Sequence, residues 1–430
     1  MLFIFVGILA AAQVVLPRKW AFLPLIIAAA HIGNGEILPQ LTPSRTIIVC
    51  GLLRAVFGGY FSGMEKTKLD YAVGAFAAIA VLSSMGHDPD PYIPSPFNAR
   101  VGLVLNIGGA YLYGRIYLSG LNEVIRYATF LPIVLMPLAL GMSSEQATRI
   151  NPYYFLGSRS ETAMERDGKF RAQGPFTHPI LAGTCGATAL PFAFLLWKRK
   201  RKGLAITAAV TCMAIVLACA SSGPLASVVM SVVVVAMWKW REKLKLLLYG
   251  ALTLATLYTV TRGRGPWFLM ASLDLVGGST GWHRASLIDQ AYKNLDEWWL
   301  FGTDYTRHWM ASGTRSNPNM VDLTNYYIHL GVIGGLGLTV GLIAILWISF
   351  GMLRKRMNEM RENSDPDEIV IWCVGGALAT HAAGFIAISY FDQMFVFFYI
   401  LVGAIPGLLN SPTAQEEAEE IEEGYELKHA

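Results

Sequence analysis

The 430-residue chain is 54% hydrophobic and only 15% charged, with a mean hydropathy of +0.44, which excludes the two or three water-soluble domains that such a length would otherwise hold. A formal net charge of +4 is too small to point to nucleic acid, because the basic residues are needed for membrane orientation. The composition is that of an all-α polytopic membrane protein.

Apolar stretches at 1–16, 20–32, 45–63, 69–85, 100–118, 124–141, 179–197, 203–220, 222–238, 244–261, 324–351, 369–388 and 391–410 predict about 12 to 13 transmembrane helices. The first carries Arg18 and Lys19 after its apolar run instead of before it, which is backwards for a cleaved signal and predicts a retained helix. Arg18-Lys19, Lys66 with Lys68, Lys198 to Lys202, Lys239 to Lys245 and Arg354 to Arg356 all fall on one side of a thirteen-span arrangement. Lys and Arg near span ends favour the cytoplasm, so the amino terminus and the two longest connections are expected outside.

The expected organisation is transmembrane helices over 1–141, an extracytoplasmic loop over 142–178, central transmembrane helices over 179–261, a large partly helical extracytoplasmic loop over 262–323, C-terminal transmembrane helices over 324–410, and an acidic disordered tail over 411–430. The five cysteines all lie in apolar segments and none shows zinc-site spacing, which argues against disulfides and against a structural metal. Connections this long are uncommon unless functional or disordered. Trp267, Trp282, Trp298, Trp299 and Trp309 give the second a folded composition. Outside the cytoplasm nucleotides are absent, so chemistry there must use a pre-activated substrate.

The first loop carries Arg149, Arg159, Arg166, Lys169 and Arg171, and ends on His178-Pro179 at a helix start. Cations on the outer face oppose the positive-inside bias. One reading pairs them with Glu161, Glu165 and Asp167 on a solvated surface; the other, stronger for Arg171, sets that side chain against the membrane where it meets a lipid-linked phosphate. In the second loop, residues 281–299 place Arg284, Ile288, Ala291, Leu295 and Trp298 at helical spacing, which predicts an amphipathic helix on the membrane surface. Arg284 lies on its apolar face and needs either an anion or a structural partner such as Asp322.

Asp322, Tyr326 and His329 follow at i, i+4 and i+7, predicting a shared helix face on which a carboxylate or imidazole deprotonates a sugar hydroxyl; the alternative is a polar helix cap. Asp88-Pro89-Asp90 resembles a metal-binding element, but its prolines make it look like a plain loop. Arg54 and His381 lie deep in predicted spans and are expected to face the bundle interior. No P-loop, nucleophile elbow or HExxH motif is present, which removes the usual ATPase, serine hydrolase and zinc protease readings.

Three segments resemble the bacterial O-antigen ligases and the related O-antigen and exopolysaccharide polymerases. Arg171 to Pro179 (RAQGPFTHP) is similar to the Arg-x-x-Gly segment that precedes a transmembrane helix in that superfamily. Gly281 to Leu287 (GWHRASL), with Leu300-Phe301-Gly302, is similar to its Gly-Arg helix and following turn. Asp322 to Gly335 (DLTNYYIHLGVIGG) is similar to its Asn, Tyr and Gly helix start.

The resemblance implies a metal-independent, cofactor-free, inverting glycosyltransferase at the outer face of the bacterial inner membrane. Its donor is an undecaprenyl-diphosphate-linked glycan, its acceptor a glycan or lipid, and polysaccharide export or chain-length-control proteins are implied partners. Arg171 and Arg284 match the diphosphate-holding arginines, with His178, Asn325 and Tyr326 as further substrate-binding positions. The superfamily usually carries a histidine just before the motif asparagine; here Thr324 stands there, so Asp322 or His329 takes the place of the base. Polymerisation of repeat units stands slightly ahead of ligation to a lipid or protein acceptor, and a transporter or flippase of lipid-linked oligosaccharide is the alternative from another class.

Overall fold

The computed structural model describes residues 1–37, 41–93, 95–166, 168–272, 280–311, 313 and 317–411; the expected acidic tail lies outside them, as do Asp167 and Arg315. The chain is helical almost throughout. In order the helices are α1 (Leu2–Val15), α2 (Leu23–His31), α3 (Pro43–Phe57), α4 (Lys68–Ser83), α5 (Pro96–Tyr117), α6 (Leu121–Thr148), α7 (Pro179–Lys198), α8 (Lys202–Ala218), α9 (Ser222–Met237) and α10 (Leu244–Arg262). The short α11 (Leu269–Ser272), α12 (Thr280–Lys293) and the single turn α13 (Leu295–Trp298) follow, and then α14 (Tyr326–Glu362), α15 (Glu368–Ala387) and α16 (Met394–Leu409). A small antiparallel hairpin, β1 (Met164–Arg166) and β2 (Lys169–Arg171), interrupts the helices before α7.

Six helical stretches, Lys68–Gly86, Leu121–Thr148, Pro179–Lys198, Ser222–Leu246, Tyr326–Glu362 and Glu368–Ala387, are long and apolar enough to cross a membrane, which makes the chain an all-α membrane protein at that level of description. The expected span at 20–32 contains only the nine residues of α2, about 13 Å of helix at 1.5 Å per residue, less than a hydrocarbon core.

Helix polarity follows burial. Every residue of α16 from Met394 to Leu408 is buried, as an all-round apolar helix at the centre of a bundle must be. It lies against α5, and the two backbones close up where Gly114 faces the Ile400 carbonyl and Gly403 faces that of Tyr111. At the opposite extreme α10 has no buried side chain among its described residues. The basic connectors gather at one end of the bundle. Arg199 pairs with Asp367, Arg241 and Arg361 both pair with Glu368, Arg356 reaches the Ser411 carbonyl, and Arg18 reaches that of Ile116.

The stretch expected as one span over 324–351 is longer and broken. Gly334 and Gly335 leave helical geometry, Gly335 at φ 77° and ψ 178°, a region open essentially to glycine alone. The bend frees backbone groups, and the turn after α13 takes them up: Leu336 donates to the Trp299 carbonyl at 2.8 Å, and Thr303 donates to that of Val332 at 2.8 Å. The Thr339 hydroxyl donates back across the bend to the Tyr327 carbonyl at 2.9 Å. Gly302, at φ 98°, abuts the Val332 carbonyl, and Gly335 abuts that of Leu300, so neither position accepts a Cβ. The Leu300-Phe301-Gly302 turn is thus the plug of a broken helix. Gly302→Ala and Gly335→Ala should each destabilise the protein by about 1 to 3 kcal/mol, read as a lowered thermal midpoint in detergent; a midpoint equal to wild type would refute this account of the break.

Candidate functional site

The segment before α7 is held by two buried carboxylates from distant parts of the chain. Glu145, in the last turn of α6, accepts the backbone N–H groups of Gln173 (3.0 Å) and Gly174 (2.8 Å). Asp392, in the α15–α16 connection, accepts the backbone N–H and hydroxyl of Thr177 at 3.0 and 3.1 Å. The Asn151 carboxamide donates to the Gly174 carbonyl, and Gln393 donates to that of Pro175. Gly174 sits at φ 57°, the left-handed turn that carries the chain from β2 toward α7. The 142–178 connection is therefore a folded unit in which the backbone fixes where Arg171 and His178 stand.

Arg171, only 4% exposed, donates through Nε to the Cys219 carbonyl at 3.3 Å, and Ala172 donates to that of Ala218. These partners form the turn between α8 and α9. Arg284 comes to the same turn from α12: its Nη2 lies 3.2 Å from where a Cβ on Gly223 would be, so glycine leaves the space the guanidinium occupies. Two arginines from separate loops thus reach the same turn, Arg171 at Cys219 and Arg284 at Gly223 in the first turn of α9, a helix whose Ser221 makes no side-chain cap bond. Helix N-termini present N–H groups and a positive dipole end to anions.

Electrostatics tie further groups to this point. Arg284 is held below its usual pKa by burial and then by the charge of Arg166 on β1, and it makes no hydrogen bond with any described residue. His178 caps α7, its Nδ1 accepting from the Ile180 N–H at 3.1 Å. Burial, Arg171 and Arg166 push His178 down to about 4, so at neutral pH it is uncharged, with the proton on Nε2 as a donor. Asp322 is exposed overall, but partial desolvation of its carboxyl raises its pKa above the usual range, against the pull of His283 and Arg166, which makes it a stronger base. Arg166, Arg171, His178, Arg284 and Asp322 therefore share one field; the expected structural pair between Arg284 and Asp322 does not form.

The other expected residues stand elsewhere. α14 begins at Tyr326, so Asp322 precedes the helix and shares no face with Tyr326 and His329. Asn325 is the cap, its Oδ1 accepting from the Ile328 N–H at 3.1 Å. Tyr326 is 1% exposed and packs among Phe385 and Tyr390. The charge that bears on His329 is that of Arg100 on α5, away from the arginine pair. The apolar face of α12 packs on protein: Leu287, Ala291 and Trp298 form a second apolar core with Trp309, Val321, Ile328 and Val332, while Trp282 and Tyr292 stay exposed.

Other cations are already engaged. Arg149 lies over the Phe170 ring at 4.2 Å, and Arg307 donates to the carbonyls of Met310 and Ala311. The Asp90 carboxylate accepts from the N–H groups of Tyr92 and Ile93, closing a turn. Among the described residues no three His, Cys, Asp or Glu side chains converge as a metal site would require. Arg166 and His283, which sequence reasoning left out of the site, enter it through the hairpin and through α12.

No family model, curated protein or solved structure matches the chain.

The depressed pKa of His178 has a consequence for stability. Between about 4 and the ordinary 6.5 the unfolded chain binds this proton and the folded one does not, so stability is complete above 6.5 and falls as the pH drops through that window. His178→Asn keeps a capping oxygen and removes the titration. Its thermal midpoint should therefore lose less than that of wild type between pH 7 and pH 4.5; parallel curves would show that the group does not titrate as argued.

Proposed function

We propose that the protein transfers or polymerises glycan from a polyprenyl-diphosphate-linked donor, undecaprenyl diphosphate in a bacterial inner membrane, at the extracytoplasmic face. The reading places it in multi-pass topology, with thirteen apolar segments, the basic connectors in the cytoplasm and the 142–178 and 262–323 loops outside. The observation that carries it is that Arg171 and Arg284, from separate loops, both reach the α8–α9 turn, at Cys219 and Gly223, with a neutral His178 in the field of Arg171.

A lipid diphosphate leaves readily once its charge is neutralised, so such an enzyme needs cations more than a general acid. Arginine forks and helix N–H groups supply that neutralisation, and they accelerate the reaction to the extent that they grip the departing diphosphate more strongly than the bound ester. The acceptor hydroxyl attacks the anomeric carbon from the opposite face, which inverts the configuration, and Asp322 takes its proton. His329, inside α14, is the less favoured base. Polymerisation of repeat units is placed ahead of ligation to a lipid or protein acceptor on the sequence resemblance alone.

A transporter would need charged groups at liberty inside the bundle. Arg54, His381 and Asp392 are instead engaged: Arg54 donates to the Gln13 carbonyl at 2.7 Å, His381 bonds the Tyr390 hydroxyl at 2.8 Å, and Asp392 holds Thr177.

Each charge-assisted contact is worth about 1.5 to 3 kcal/mol, so Arg171→Ala or Arg284→Ala should each slow turnover by about 10- to 150-fold. The assay is purified protein in detergent with lipid-linked glycan, read as longer chains or as released undecaprenyl diphosphate. Arg262→Ala, at the exposed end of α10, serves as the control. Full turnover by Arg284→Ala, or no product from wild type, ends the proposal.

A further inference from the structure

At the end of the bundle where the basic connectors gather, a groove of about 570 Å³ runs between the α9–α10 bend and the lower halves of α14 and α15. Its walls are apolar: Val234 and Leu244 on one side, Trp347, Phe350 and Leu353 on the other. The floor on α15 is made of Gly375, Gly376 and Ala379, whose lack of bulk leaves the volume open. Trp347 is 76% exposed, a large apolar surface that a chain of this composition turns toward lipid.

The rim has the opposite chemistry. Arg241, Lys245, Arg354 and Arg361 line it, against Glu242 as the single acid among the described lining residues. Arg241 and Arg361 are spoken for, since both bond Glu368 at 2.8 Å, and Arg241 also lies 4.0 Å from the centre of the Trp238 ring. Lys245 and Arg354 make no side-chain hydrogen bond or ion pair with any described residue, so the groove keeps two uncommitted cations at its mouth.

We infer that this groove is a binding site for an anionic phospholipid, its phosphate held by Lys245 and Arg354 and an acyl chain laid along Leu244, Trp347 and Phe350. The apolar length of the groove matches a hydrocarbon chain and gives a soluble phosphate nothing to hold. The surplus of cations favours a headgroup without an ammonium of its own, because a zwitterionic lipid would bring a third positive charge beside Lys245 and Arg354. Basic pockets between helix ends on the cytoplasmic side bind anionic headgroups in this way. The site stands apart from the arginine pair at the α8–α9 turn and does not depend on glycan transfer.

The test uses the full chain, stripped of lipid in a neutral detergent and titrated with dioleoyl phosphatidylglycerol, dioleoyl phosphatidylcholine or sn-glycerol 3-phosphate. Native mass spectrometry reads retained lipid, and the thermal midpoint reads stabilisation. Phosphatidylglycerol should be retained and should raise the midpoint at lower concentration than phosphatidylcholine, while glycerol phosphate has no effect. Lys245→Gln with Arg354→Gln, both exposed, should weaken phosphatidylglycerol by about thirtyfold and bring it to the level of phosphatidylcholine. Trp347→Ala should weaken both lipids. Equal binding of the two lipids to wild type, an unchanged double variant, or a midpoint shift reproduced by glycerol phosphate would each overturn the assignment.

Discussion

Two carboxylates buried against backbone amides organise one end of this protein. Glu145 in α6 and Asp392 in the α15–α16 connection are far apart in the chain, yet both accept N–H groups of the same short segment, Gln173 to Thr177. A buried acid is expensive unless its lone pairs are taken, and hydrogen bonds to charged groups are the strong kind. Between the two anchors the chain has no freedom to slide, so Arg171 on one side and His178 on the other are aimed by backbone they do not contribute to. Polar groups that look like candidates for chemistry are here the frame on which the chemistry is mounted.

The field inside that frame is one-sided. Burial and then the charge of Arg166 hold Arg284 below its usual pKa, and burial, Arg171 and Arg166 do the same to His178. Concentrating like charges costs free energy in a protein without a ligand, and an anion with spread charge recovers it. The start of α9 adds backbone donors, and Ser221 makes no side-chain cap bond there. Asp322 stands at the edge of this field, where the partial desolvation of its carboxyl and the nearby cations pull in opposite directions.

Helix content is legible in the sequence because unbroken apolar runs leave few other structures for the backbone. What a window of hydropathy averages away is where hydrogen bonds go, which is why α2 proves too short and α14 proves bent. The Asp322–Tyr326–His329 spacing assumes that the helix already exists at Asp322. Asn325 is a strong cap residue and marks the true start, a signal present in the same letters. Asp167-Gly168 is likewise a hairpin dipeptide, sufficient to bring Arg166 back toward Arg171. The apolar face of α12 is correctly periodic, but periodicity cannot say whether protein or lipid covers it. That Arg171 and Arg284 reach one turn is written in no local pattern; the sequence supplies it only through resemblance, and the geometry through the turn at Cys219 to Gly223.

The bend in α14 binds two stretches of chain into a single decision. Leu336 and Val332 pair with Trp299 and Thr303, so withdrawing the plug would strip backbone groups of their partners. A change that loosens residues 299–303 is therefore felt at 332–336, and the first eight residues of α14 take their direction from a loop and not from the helix they begin.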